Sequence, residues 1–147
     1  MTLLLKYVDD CINAISDGFV VNSIYLDFSK AFDTVPHRRL MSKLESYGIS
    51  GNVQNWILSF LLGRTQTVVV NHNDFTPSQV ISGIPQGSVL APLLLVIYIN
   101  DLSDEITSHI YLYSLYKTIS RRVQSKNDAK DLRKDLNLLE AWSEKWY

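Results

Sequence analysis

The side chains best placed by their neighbours to do chemistry are carboxylates, and the first of these is Asp27. It follows Ile24-Tyr25-Leu26, a β-favouring apolar triplet that suits a buried strand, and it precedes Phe28-Ser29-Lys30-Ala31-Phe32-Asp33. A carboxylate at the end of a buried strand is costly unless a cation or hydrogen-bond donors meet it. Metal binding is one solution; capping of the following turn is the plainer one. A second stretch, Ser82-Gly83-Ile84-Pro85-Gln86-Gly87-Ser88, sets an amide side chain among turn formers. Gly83 and Gly87 allow tight turns and close backbone approach. Pro85 fixes one dihedral, and Gln86 brings amide donors and acceptors. Taken alone, this stretch also reads as an ordinary strand-to-helix turn.

The elements that must hold these residues follow from periodicity. Leu4, Tyr7, Cys11, Ala14 and Ile15 recur at helical spacing and predict an amphipathic helix over 4–16, with Asp9 and Asp10 on its solvated face. After the Asp27 strand, Thr34 offers a capping hydroxyl and Pro36 a pre-set first turn. Leu40, Met41, Leu44 and Tyr47 then stripe a helix that stops at Gly48. Val53, Trp56, Ile57, Phe60 and Leu61 stripe another, closed by Gly63. Residues 64–70 and 76–81 read as a hairpin around the turn-rich 71–74. An apolar helix is expected from 88 or 89 to about 105, its 89–99 part internal. Strands follow over 109–115 and 116–122. Ser125 with Asp128 resembles a capping box, ahead of a last helix striped by Ala129, Leu132, Leu136, Leu139 and Trp146. The order α-β-α-α-ββ-α-ββ-α predicts an α+β fold, a small antiparallel sheet packed against helices.

The chain has 147 residues, 46 % of them hydrophobic, enough for one core, and a formal net charge of −1. No global basic footprint announces nucleic-acid binding. Cys11 stands alone, so no internal disulfide forms, and an intracellular protein is expected, nucleus or cytoplasm left open. The amino terminus does not read as a signal peptide. The longest apolar run, 89–99, is shorter than the about 20 residues a bilayer requires and contains Pro92, so no membrane partner is expected.

Together Asp27-Phe28-Ser29-Lys30-Ala31-Phe32-Asp33, Ser82 to Leu90 and Tyr98-Ile99-Asn100-Asp101-Leu102 resemble the reverse transcriptase domain of non-LTR (LINE-type) retrotransposons. The spacing of the blocks is similar as well, and the similarity runs from about Tyr7 to Trp146. The resemblance implies a palm-like fold, with 1–147 a partial reverse transcriptase domain whose fingers and thumb lie outside it. It implies an RNA template and a DNA primer as partners, and Mg²⁺ as cofactor. Two such ions, roughly 3.5–4 Å apart, are held by aspartates in polymerases of this kind. Asp27 would be the first of the ligands and the surviving catalytic residue. Phe28 and Phe32 would line the nucleotide, with Phe32 also readable as a core aromatic. Gly83, Pro85 and Gln86 would meet template and primer, and Gln86 and Gly87 the nucleotide.

One departure bears on activity. Where the family has an aromatic-Ala-Asp-Asp box, this chain has Tyr113-Ser114-Leu115-Tyr116, a degenerate catalytic box without its aspartates. Asp101, Asp104 and Glu105 fall past the long helix, badly placed to substitute. Tyr7-Val8-Asp9-Asp10 spells a retroviral-type box, but on a helical pattern and upstream of Asp27. Arg38, Arg39, Lys43, Arg64, Lys117, Arg121 and Arg122 could meet phosphates, but scattered as they are, most of them read as solvated surface charges. The expected function is thus an inactive reverse transcriptase-like fragment. A portion active only with further segments, a non-catalytic module for RNA or hybrid, a permuted polymerase and a decayed relic are the alternatives.

Overall fold

A computed structural model of the chain describes residues 3–28, 30–113 and 116–146. Its helices are α1 (Leu3–Ser16), α2 (His37–Ser46), α3 (Gly51–Leu61), α4 (Leu90–Ile99) and α5 (Lys126–Trp146). The strands are β1 (Val20–Asp27), β2 (Thr65–Gln66), β3 (Val69–Val70), β4 (Asn73–Asp74), β5 (Ser78–Gln79), β6 (His109–Tyr113) and β7 (Tyr116–Val123), with a 3-10 turn at Asn100–Ser103. Helices mixed with small antiparallel sheets are the architecture expected. The chain divides into two compact units, one formed by residues up to 29 with Asp101–Lys145, the other by Lys30–Asn100 with Trp146.

In the first unit an antiparallel sheet runs in the order β1-β7-β6. Ile24 pairs with Ile119, which pairs in turn with Ile110. These turn one face of the pleat onto Leu132 and Leu139 of α5, with Leu26, Leu102, Leu136 and Trp142 filling in around them. The other face meets α1, which packs on β1 and β6. Tyr7, Cys11 and Ala14 face inward as expected, but Leu4 and Ile15 are exposed. The reason is polar. The Tyr7 hydroxyl donates to Ser23 Oγ at 2.8 Å, and the Tyr111 hydroxyl donates to Asp10 Oδ2 at 2.7 Å. Asp10 is therefore a docking group and not merely a solvated one.

The start of α5 is the capping box expected. Ser125 Oγ accepts from the Asn127 and Asp128 amides, and Asp128 Oδ2 accepts from the Gln124 and Ser125 amides. These donors hold the Asp128 carboxyl below its usual range.

In the second unit α2 packs on α3 and α4. Leu40, Leu44, Ile57, Leu61, Leu94, Leu95 and Tyr98 are buried. The apolar stripe of α3 is only partly inward, since Val53 and Trp56 are exposed; so is Tyr47, past the end of α2. Helix α4 tolerates Pro92 because that ring falls in its first turn, where an amide has no intrahelical partner. It ends at Ile99 instead of reaching 105, and it is not wholly internal: Leu93 and Val96 are exposed while Leu94, Leu95 and Tyr98 are not. Thr34 does not cap α2. Its hydroxyl closes the preceding turn on Lys30 O at 3.1 Å, and Pro36 stands at the cap position.

The predicted hairpin is present as two short ladders, β2 with β5 and β3 with β4. Between β3 and β4 the turn residues Asn71 and His72 both have positive φ, 49° and 66°, as a two-residue primed turn requires. A histidine in that region costs about 1–2 kcal/mol. His72→Gly is expected to recover about 1 kcal/mol, read as slower amide exchange at Val70 and Asn73; unchanged exchange would contradict the turn geometry.

Candidate functional site

The sequence-predicted residues fall into two groups, one in each unit. In the first, β1 alternates so that Val21, Ser23, Tyr25 and Asp27 share the face on which Tyr7 lies, while Ile24 and Leu26 take the core side. Asp27 is exposed at the strand end, and its Cα partner across the ladder is Tyr116, which is itself paired with Tyr113. Among the described residues the Asp27 carboxylate has no hydrogen-bond or ionic partner. Ser114 and Leu115 of the predicted box lie outside the described residues.

Around this row the phenols are tied into a network. Tyr7 and Tyr25 hydroxyls are 3.0 Å apart, and the Tyr7 ring meets Tyr111 edge-on with centroids 5.1 Å apart. Burial, with the bond to Asp10, pushes the Tyr111 phenol up to about 12. Tyr7 is pushed up to about 12 chiefly by burial. Both are neutral donors across the physiological range. In Asp10 the bond from Tyr111 holds the carboxyl below its ordinary value.

On the core side, Phe28 packs edge-on to Trp142 with centroids 6.4 Å apart, and Trp142 Nε1 donates to Asp101 Oδ1 at 3.1 Å. The ammonium of buried Lys117 sits 5.3 Å from the Phe28 ring. Phe28, half-buried, packs against the core of this unit, and Asp101 is half-buried beside Trp142. Asp27 is opposite Tyr116 in the register, and among the described residues no three His, Cys, Asp or Glu side chains converge.

In the second unit the loop after β1 and the glycine loop are stitched together. Gly83 N donates to Val35 O at 2.8 Å, Ile84 N to Phe32 O at 2.7 Å, and Ser82 Oγ to Asp33 O at 2.9 Å. Gly83 has φ +86°, and a Cβ there would stand 2.7 Å from Asp33 O. Its carbonyl accepts twice, from buried His37 Nε2 at 2.8 Å and from Arg64 Nη2 at 2.7 Å. Phe32 is half-buried beside this seam, Pro85 is half-buried, and Gln86 and Gly87 are exposed beyond it. A groove of about 670 Å³ follows the seam, with Lys30, Arg64, Gln66, Gln79 and Gln86 among its walls.

Several of the cations that read as solvated surface charges are buried or paired. Lys43 is buried, donating to Tyr98 O at 2.5 Å under the Trp146 ring, and Lys117 is buried in the sheet. Arg121 is bound to Asp131 at 3.1 Å and lies 3.6 Å from Asp135. Arg39 is half-buried, with Nη1 enclosed and unbonded among the described residues. Arg38 and Arg64 remain accessible, and Arg122 is only loosely paired with Asp17 at 3.9 Å. His37 and the anchoring of Arg64 were not foreseen, because both depend on a carbonyl far along the chain.

A family model described as reverse transcriptase (RNA-dependent DNA polymerase) matches residues 22–146, and the chain belongs to that family. The probable RNA-directed DNA polymerases from transposon BS and from transposon X-element, both of Drosophila melanogaster, are each 29 % identical to it over 150 residues. These alignments cover 92 % and 97 % of this chain and 16 % of each relative. The retrovirus-related Pol polyprotein from type-1 retrotransposable element R2 of Popillia japonica is 31 % identical over 85 residues, 58 % of this chain and 14 % of the relative. These similarities place the chain with the reverse transcriptase domains of LINE-type elements. It spans about a sixth of the length of the first two relatives.

No helix among the described residues is long and apolar enough to cross a membrane.

Proposed function

We propose that this chain is the palm region of a LINE-type RNA-directed DNA polymerase in which the chemistry has been lost, and in which weak, phosphate-dominated contact with an RNA template and DNA primer is what remains. The observation that carries this reading is the register of β1 on β7, which sets Asp27 opposite Tyr116. By family resemblance Tyr113 to Tyr116 stand where the aspartate pair would be. Leucine at 115 has no ligand atom, and a tyrosine phenol with a pKa near 10 is protonated and a poor magnesium ligand at neutral pH. A carboxylate about 4 Å from a divalent ion contributes on the order of 8 kcal/mol of gross attraction at an effective dielectric near 20. With two such partners gone, one carboxylate does not hold two ions. Asp101 is no replacement, since Trp142 binds it on the opposite side of the sheet from the Asp27 row.

Primer extension on an RNA template with Mg²⁺ tests this. The unaltered chain is expected to incorporate no nucleotide above a no-protein control. Leu115→Asp combined with Tyr116→Asp is expected to strengthen Mg²⁺ binding in calorimetry. Templated extension by the unaltered chain that disappears in Asp27→Asn would overturn the reading.

A further inference from the structure

Resting on the nucleic-acid contact proposed above, we propose that Arg64 is a phosphodiester-binding residue, built into the groove of the second unit to hold the backbone of a single strand. Its guanidinium is fixed from two directions: Nε donates to Leu61 O at 2.8 Å and Nη2 to Gly83 O at 2.7 Å. Both acceptors are neutral carbonyls, so the positive charge is oriented without being cancelled. Asp33 shares the groove wall, yet no carboxylate among the described residues forms an ion pair with Arg64. A planar cation locked by backbone and left uncompensated has paid its ordering entropy before an anion arrives, which is the arrangement that favours phosphate.

The backbone that carries the second cation of the groove is also fixed. Lys30 has φ +52°, a region that non-glycine residues avoid. It is kept there by its own carbonyl, which accepts from the Asp33 and Thr34 amides at 2.8 and 3.1 Å. Gln66, Gln79 and Gln86 come from three separate stretches and bring amide donors and acceptors to the same space. Amides of this kind meet sugar hydroxyls and exposed base edges, which a duplex keeps paired. Among the described residues the groove has no aromatic wall, so stacking adds little and the binding is weak and tolerant of sequence.

The test is anisotropy of a labelled single-stranded oligouridylate titrated with the full chain at several salt concentrations. The unaltered chain is expected to bind at low salt with an affinity that falls linearly in log salt. Arg64→Gln is expected to weaken binding and to flatten that slope by about 0.7, the loss of one phosphate contact on a single strand. His37→Ala removes the other donor to Gly83 O without removing a lysine or arginine, so it should keep the slope of the unaltered chain. Gln66→Glu, an exposed change that leaves Gly83 alone, is expected to weaken low-salt binding up to about fivefold, and it serves if Arg64→Gln does not fold. A slope that Arg64→Gln leaves unchanged, or that His37→Ala flattens equally, overturns the assignment of Arg64 while the contact reading stands. Absence of low-salt binding by the unaltered chain overturns both.

Discussion

Asp135→Ala is expected to destabilise the first unit by about 3–5 kcal/mol, the usual result of removing one side of a buried charged network. Asp135 is only 1 % exposed. Its carboxylate accepts from the Thr107 and Ser108 amides at 3.1 and 2.9 Å and from the Ser108 hydroxyl at 2.5 Å. Those groups immediately precede β6, so the carboxylate ties the entry to the strand to the middle of α5. Arg121 would keep its bond to Asp131, but the buried Ser108 amide and hydroxyl would lose their acceptor. Asp135→Asn preserves the volume and one acceptor and should cost about 1.5–3 kcal/mol.

The pH dependence has a definite sign. Burial alone would raise the Asp135 carboxyl, but the Ser108 and Thr107 bonds outweigh it and the group sits below its ordinary value. A depressed carboxyl contributes stability that is present above the unfolded pKa of about 3.9 and is lost as pH falls through the folded one. Urea unfolding of the unaltered chain and Asp135→Asn should therefore give a gap that is full near pH 7 and narrows below about pH 4. A gap that stays constant from pH 7 to pH 2 would mean that Asp135 is not the charged acceptor described.

Much of this frame is legible in the sequence because it rests on local rules. Ile24-Tyr25-Leu26 marks a strand by β-branching and aromaticity, and Ser125 with Asp128 marks a helix start by short-range bonds. The approach of Asp27 to the 113–116 segment, by contrast, was legible only through family resemblance, since register between strands so distant in sequence leaves no local trace. Other features were hidden for physical reasons. Lys43 and Lys117 look like surface charges, yet long stems carry their ammonium groups under aromatic rings and onto a carbonyl. The orientation of α1 defies its apolar stripe because two tyrosine hydroxyl bonds decide which face docks. Asp135 did leave a signal: it lies three residues from Leu132 and four from Leu139, on the buried stripe, where a charged residue needs buried partners. His37 and Arg64 left none.

The seam in the second unit supplies the other large expected effect, Gly83→Ala. The added methyl would meet Asp33 O at 2.7 Å, Asp33 Cα at 2.8 Å and Phe32 O at 2.9 Å. All three are backbone atoms, and they belong to a loop whose amide and carbonyl groups are already bonded to this segment, so no side chain can swing aside to make room. The φ of +86° adds a separate cost. Left-handed backbone is disfavoured by about 1–2 kcal/mol for a residue with a Cβ, and overpacking against a fixed wall adds about 1–3 kcal/mol. Their sum predicts a loss of about 2–5 kcal/mol. Gly87 separates the two contributions: its φ is +84°, but nothing lies within 4 Å of a Cβ there. Gly87→Ala should therefore show the conformational cost alone, about 1–2 kcal/mol. Hydrogen exchange gives a local readout. In Gly83→Ala the amides of residue 83 and Ile84, which donate to Val35 O and Phe32 O, should exchange faster by about 30- to 4,000-fold, whereas Gly87→Ala should change them far less. Equal acceleration in the two variants would mean that the loops are not clasped at Gly83, and the fixed orientation of Arg64 would fall with it.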